Sequence, residues 1–193
     1  MIDNKGCIIV VSAPSGAGKT TIVKNILKEF PEIVFSISAT TRKKRKGETN
    51  SVEYFFITEE EFLQKIRDDE FIEWEKFYDY YYGSLKSFVN ENVEQGKCVL
   101  FEVDVKGALS IKRIYPDSIL IYILPPSLEE LTKRLKNRMT ETEEDLQKRI
   151  ARAEMELSLK DEFDNIVIND ELEKAISEVK EIIKNKINKE EKI

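Results

Sequence analysis

The chain has 193 residues, of which 41% are hydrophobic and 35% charged, with a net charge of −6 and no histidine. That length predicts one α/β domain with lobes rather than two domains. The missing histidine excludes every catalytic triad built on one, the acidic balance argues against a nucleic-acid partner, and no apolar run is long enough to predict a membrane span.

The first residues, Met1 to Gly6, lack the charged-then-apolar pattern of a secretory leader. Cys7 and Cys98 each fall in an apolar, strand-like run, which predicts buried free thiols in a reducing cytoplasm. Ile8 to Val11 are four apolar residues in a row, suited to a strand covered on both faces. A helix is predicted from Thr20 to Phe30 by the spacing of Ile22, Val23, Ile26 and Leu27. Between strand and helix lies Ala13-Pro14-Ser15-Gly16-Ala17-Gly18-Lys19-Thr20. This is the phosphate-binding loop pattern, with alanine where the pattern opens on glycine. Its glycines let backbone N–H groups turn toward phosphate oxygens at a helix N-terminus. Lys19 supplies a cation for the β- and γ-phosphates, and the Thr20 hydroxyl a ligand for Mg²⁺. The loop therefore predicts a nucleoside triphosphate without naming the reaction.

Beyond Pro31, Val34 to Ser38 alternates like a short strand, and Arg42 to Lys46 is a run of five cations. Alone, that run reads first as a solvated loop, with a phosphate site and a nucleic-acid patch as the competing readings. Val52 to Ile57 predicts a strand, and Thr58 with Glu61 predicts a capping box opening a helix to about Asp69. Phe71 to Glu75 alternates and leads into the aromatic stretch Phe77 to Ser84; a helix is predicted from Ser84 to Glu94, stopped by Gly96. Cys98 to Asp104 and Ser118 to Leu124 are two further apolar strands, separated by a helix ending near Ile114. Ser127 with Glu130 starts a helix to about Met139, a second runs to about Leu159, Phe163 to Ile168 is a last strand, and a helix from Asp170 frays near Asn188. Strands alternating with helices predict a parallel, doubly wound sheet with its site at the strand C-termini.

Taken in order, Ser36-x-Ser38-x-Thr40-Thr41-Arg42-x-x-Arg45-x-Gly47-Glu48, Tyr54, Glu70-Phe71-Ile72-Glu73-Trp74, Tyr81-Tyr82-Gly83-Ser84 and Glu102-Val103-Asp104-Val105-x-Gly107 resemble the guanylate kinase family. The resemblance implies a P-loop nucleoside monophosphate kinase fold: a parallel five-stranded sheet with helices on both faces. It implies a domain over 5–186, with a core (5–35, 96–125 and 156–186), an acceptor-binding lobe at about 36–90 and a lid at about 126–155. The implied reaction is Mg²⁺-dependent transfer from ATP to GMP, with dGMP as a second acceptor, in the cytoplasm. By the same resemblance, Arg42 and Arg45 grip the acceptor phosphate beside Tyr54 and Tyr82. Glu73 binds guanine with Ser38 and Ser84, and Asp104 adds a contact near the base. Arg134, Arg138 and Arg149 of the lid close over the triphosphate, Arg152 being a weaker candidate, and Asn169 lies near adenine. Glu102 is placed to order the Mg²⁺ water shell. Asn137 and Met139 stand where the family has glycines around the lid arginine. The chemistry agrees: an ionised phosphate is already a nucleophile, so the reaction needs guanidinium groups rather than a general base. The rival readings are a scaffold domain without catalysis and a kinase for another monophosphate; Lys19 and Thr20 argue against the first, and Glu73 and Ser38 against the second.

Overall fold

The first apolar run sets the architecture by alternating its side chains between two cores. In the computed structural model, which describes residues 6–52, 54–77, 79–136 and 143–190, β1 (Ile8–Ser12) is buried at all five positions. Ile9 and Val11 pack with α1 (Lys19–Glu29) and α7 (Leu172–Glu190), whereas Ile8 and Val10 pack with α3 (Lys86–Glu94) and α4 (Val105–Ile114). A strand pleat with period two thus requires helices on both faces. The sheet around it is five-stranded and parallel, ordered β2 (Val34–Phe35), β7 (Val99–Val103), β1, β8 (Ile119–Leu124), β9 (Asn165–Ile168). This is the sheet the sequence predicts, with β1 at its centre.

A second sheet of four strands is ordered β4 (Phe55–Phe56), β3 (Ala39–Thr40), β6 (Tyr80–Leu85), β5 (Phe71–Phe77). Here the sequence was harder to read. The strand expected over Val34 to Ser38 stops at Phe35, and the chain crosses to the second sheet before Ala39. The strand expected over Val52 to Ile57 shrinks to Phe55–Phe56, because Ser51 takes a positive φ of 64° and turns Val52 outward, 58% exposed. Ser84 belongs to β6, not to the following helix, which begins at Lys86. The capping box at Thr58 and Glu61 is present and opens α2 (Glu59–Arg67). Phe62 of that helix stacks on Phe71 and Tyr81, giving the small sheet its own core.

Two helices lie between β8 and β9 in the chain, α5 (Leu128–Lys136) and α6 (Glu143–Ser158), and α6 borders the cleft over the turn that follows β1. Arg138, with the departures at Asn137 and Met139, lies outside the described residues. No helix among the described residues is long and apolar enough to cross a membrane. One expectation is overturned. Cys7 and Cys98 are not free thiols but form a disulfide, because the parallel register that sets Ile8 beside Val99 also sets the two cysteines side by side, with Cα atoms 4.2 Å apart. Each looked like an ordinary apolar strand residue; only the pairing of β1 with β7 brings them together.

Candidate active site

The phosphate loop fills the turn from β1 into α1. Gly16 and Gly18 adopt φ of 92° and 93°, backbone that favours glycine, and Gly18 caps α1. Ala13 does not: it has no positive φ and is buried, so the departure from the glycine pattern leaves the loop intact. The Ala17 N–H donates to the Pro14 carbonyl at 3.1 Å, closing the turn beneath exposed Ser15. Lys19 Nζ donates to the Val103 carbonyl at 2.8 Å, at the end of the neighbouring strand. Burial pulls its pKa down, while the carboxylates of Glu102, Asp104 and Glu156 work against that and favour the cation. The Thr20 hydroxyl donates to Glu102.

Asn169, just past β9, reaches the same loop from behind. It is 5% exposed, and its side-chain amide donates to the Ala17 carbonyl at 2.7 Å. A side chain at Gly18 would collide with that amide. Gly18 is therefore required by the packing as well as by φ. This bracing of the loop is a role that the sequence did not reveal.

The small sheet collects the other candidates on one face. Register pairs Glu73 with Ser84, Glu75 with Tyr82, and Tyr82 with Thr40, so Glu73, Glu75, Ser84 and Tyr82 share a face by period two. An irregularity between Phe71 and Glu73 is what permits this, since it lets Phe71 enter the lobe core while Glu73 faces the other way. Ser84 Oγ donates to Glu73 at 2.6 Å. Burial pushes the Glu73 pKa up to about 7, against the Ser84 hydrogen bond and with help from the nearby Asp104 and Glu75 charges.

Arg42 is 9% exposed and already oriented. It donates twice to Glu48, at 2.8 and 3.0 Å, and lies over the rings of Tyr54 and Phe56. Glu48 also accepts from the Arg45 backbone N–H at 2.7 Å, so one carboxylate orders both ends of the basic turn while the Arg45 side chain stays exposed. Tyr54 and Tyr82 meet edge to face, their centroids 5.9 Å apart. Glu48 was legible only as the last residue of the quoted motif.

Two clefts meet at the Thr20 and Glu102 pair. One, of about 360 Å³, lies over the phosphate loop and is bordered by Lys19, Asp104, Arg149 and Arg152; the other, of about 440 Å³, is bordered by Ser36, Ser38 and Tyr54. Arg134 lies on α5, its Nε donating to Glu130 at 3.0 Å. Asp104 caps α4 by accepting from the Gly107 N–H at 2.8 Å, and its other oxygen pairs with Arg152. Cations thus stand on both sides of the Thr20 and Glu102 pair: Lys19, Arg149 and Arg152 border the cleft over the loop, and Arg42 lies over the ring of Tyr54, which borders the other.

Comparison with known proteins identifies the family. A sequence model of the family described as "Guanylate kinase" matches residues 5–186. The chain is 46% identical over 182 residues to the guanylate kinase of Caldanaerobacter subterraneus subsp. tengcongensis, covering 94% of this chain and 88% of that one. It is also 46% identical over 181 residues to the guanylate kinase of Thermotoga maritima, covering 94% and 87%. The crystal structure of guanylate kinase from Anaplasma phagocytophilum superposes with a TM-score of 0.75 at 29% identity, covering 96% of this chain and 88% of that one. With the phosphate loop, the parallel five-stranded sheet and this match across nearly its whole length, the chain belongs to the guanylate kinase family.

Proposed function

We propose that the protein transfers the γ-phosphoryl group of ATP to GMP, giving ADP and GDP, with dGMP as a second acceptor and Mg²⁺ as the metal cofactor. The observation that carries the reading is the meeting of the two clefts at Thr20 and Glu102, one over the phosphate loop and one reaching Ser38 and Tyr54. The triphosphate is held by the loop 13–20, through its backbone N–H groups other than at Pro14, which has none, and through Lys19, with Arg134 and Arg149 as lid cations. Arg138 has the same role by resemblance. The GMP phosphate is gripped by Arg42 and Arg45 with the Tyr54 and Tyr82 hydroxyls.

Guanine presents two adjacent N–H donors and one acceptor. Glu73 takes the donors, and the Ser38 and Ser84 hydroxyls answer the base edge with Asp104 nearby. Adenine would leave a buried carboxylate without its partners, which is a strong basis for rejection. Neighbouring oxygen donors suit a metal that keeps most of its ligands as phosphate oxygens and waters: Thr20 would hold it and Glu102 would order its water shell. When bound, the ion supplies neutralisation of phosphate charge. The residues then align two anions and hold them against their repulsion, and no side chain has to remove a proton. We place the enzyme in the cytoplasm, in purine nucleotide metabolism and GMP recycling.

The direct test offers GMP, AMP, CMP and UMP separately with ATP and Mg²⁺ and measures ADP. Turnover with GMP far above the others is expected. Preference for another monophosphate would remove the base assignment, and reaction with none would favour the non-catalytic scaffold reading.

Asn169 gives a second expected result. Asn169→Ala removes the amide that holds the Ala17 carbonyl, a buried hydrogen bond whose loss costs about 1–3 kcal/mol. The variant should melt earlier and show a raised KM for ATP with little change in KM for GMP. An unchanged KM for ATP would mean that the loop holds its shape unaided.

A further inference from the structure

Three carboxylates crowd the floor where the base is proposed to sit. Glu73 and Glu75 share a face of β5, and Asp104 approaches from the start of α4. A methyl group placed on Gly107 would lie 3.1 Å from Asp104 Oδ1 and 3.3 Å from Glu73 Oε2, so the two carboxylates border one point above that glycine. Glu73 is faced by Ser84 of β6, by Asp104 at the head of α4 and by Glu75 of its own strand. Such a cluster needs a cation to hold it together.

The cation comes from a different layer of the molecule. Arg152 on α6 places Nη2 at 2.8 Å from Asp104 Oδ2 and 3.0 Å from Glu75 Oε1, and its Nε donates to Glu156 at 2.9 Å. Glu156, one turn along the same helix and 4% exposed, fixes the guanidinium from beneath. Burial works against the charge of Arg152, but Glu156 and Glu75 outweigh it and keep the guanidinium protonated. One side chain thus joins α6, the small sheet and the main core.

We infer that Arg152 is a positioning residue for the acceptor's base: by binding Glu75 and Asp104 together it fixes the carboxylate cluster beside Glu73, so that a guanine edge meets acceptors already in place. The inference rests on the GMP reading above. Arg152 also borders the cleft over the phosphate loop; what sets this role apart from that of a lid arginine closing on the triphosphate is that its guanidinium binds Glu75 of the small sheet together with Asp104. Without the guanidinium, Glu75 and Asp104 repel Glu73 and each other, Glu75 swings away, and Glu73 holds its proton to higher pH.

The test measures KM for GMP and KM for ATP separately, from pH 6 to 8.5, in the parent and in Arg152→Gln, Arg152→Lys, Glu75→Gln and the Arg152→Gln/Glu75→Gln double variant. Arg152→Gln should raise KM for GMP about tenfold or more, as expected for losing hydrogen bonds between charged groups. KM for ATP should stay within about twofold, the acid limb of the GMP profile should move to higher pH, and Arg152→Lys should recover part of the loss. The double variant should be no worse than Arg152→Gln alone, because the two residues act through one contact. A KM for GMP that does not move, a rise in both KM values together, a rise in ATP alone, or a double variant with the product of the single effects would each overturn the inference. Melting curves accompany every variant, and Arg152→Lys keeps the test decisive if Arg152→Gln does not fold. If the parent itself fails to prefer GMP, the base reading falls first and this inference with it; if the parent prefers GMP and the variants behave as parent, only the inference falls.

Discussion

Replacing Lys19 by alanine should lower kcat by about 100- to 1,000-fold, the loss typical of removing one preorganised group that stabilises transferring charge. The lysine is set before any nucleotide arrives, its ammonium held by the Val103 carbonyl at 2.8 Å at the floor of the loop. Around it lie Glu102, Asp104 and Glu156, all carboxylates. Without the ammonium, a triphosphate entering this cleft meets net negative charge. Alanine removes one hydrogen bond but leaves the apolar core of α1, so the fold should persist. ADP formation measures the rate, and circular dichroism with a melting curve checks the fold. A folded variant with turnover within about tenfold of the parent would be incompatible with the proposed role of the loop.

Glu73→Gln should act on the other substrate. Glutamine offers one acceptor and one N–H₂ group where guanine needs two acceptors, so a donor faces a donor. With charged hydrogen bonds of this kind lost, kcat/KM for GMP should fall about 100- to 10,000-fold while the slow reaction with AMP changes little. The pH dependence carries an independent signature. Glu73 accepts from guanine only as a carboxylate, and its pKa is pushed up to about 7 by burial. The parent's kcat/KM for GMP should therefore rise through neutrality and level off above it, whereas Glu73→Gln should lack that limb.

Linkage fixes the sign of the stability effect. The folded state holds this proton more tightly than the unfolded chain, whose glutamate has the ordinary value of 4.5. The contribution is fully present below 4.5 and is lost as pH rises through about 7. The variant should thus gain melting temperature relative to the parent on going from pH 5 to pH 8. A GMP profile flat across neutrality in the parent would show that Glu73 does not meet the base.

Much of this molecule was readable where the determinant is local. The capping box at Thr58 and Glu61, the phosphate loop and the fully apolar β1 are short patterns whose physics is contained in a few residues. What escaped depends on register between distant segments. The hairpin of β5 and β6, with the irregularity that turns Glu73 away from the lobe core, cannot be seen in a run that merely alternates. The same is true of the Cys7 and Cys98 bond and of Asn169 behind the loop, each made by residues far apart in the chain. Glu48 was visible as a motif position, but its hold on Arg42 follows from the turn that brings the two together. The helical pattern takes in Ser84, whereas its neighbour across the sheet, Glu73, fixes it as a strand residue.

The brace between Asn169 and Ala17 also orders events in time. Ala17 is made early in synthesis, and the side chain that closes its carbonyl arrives 152 residues later, beyond the last strand of the sheet. The central strand waits as well, since its partners β7 and β8 lie in the second half of the chain. A nascent chain that has left the ribosome only as far as α6 carries the whole phosphate-loop motif and the residues that line its cleft, but neither β9 nor the amide that braces Ala17. A nucleotide that binds the braced loop therefore favours the finished domain over a partly made one. The cost is slow assembly, as expected for a fold whose decisive contacts span most of its length.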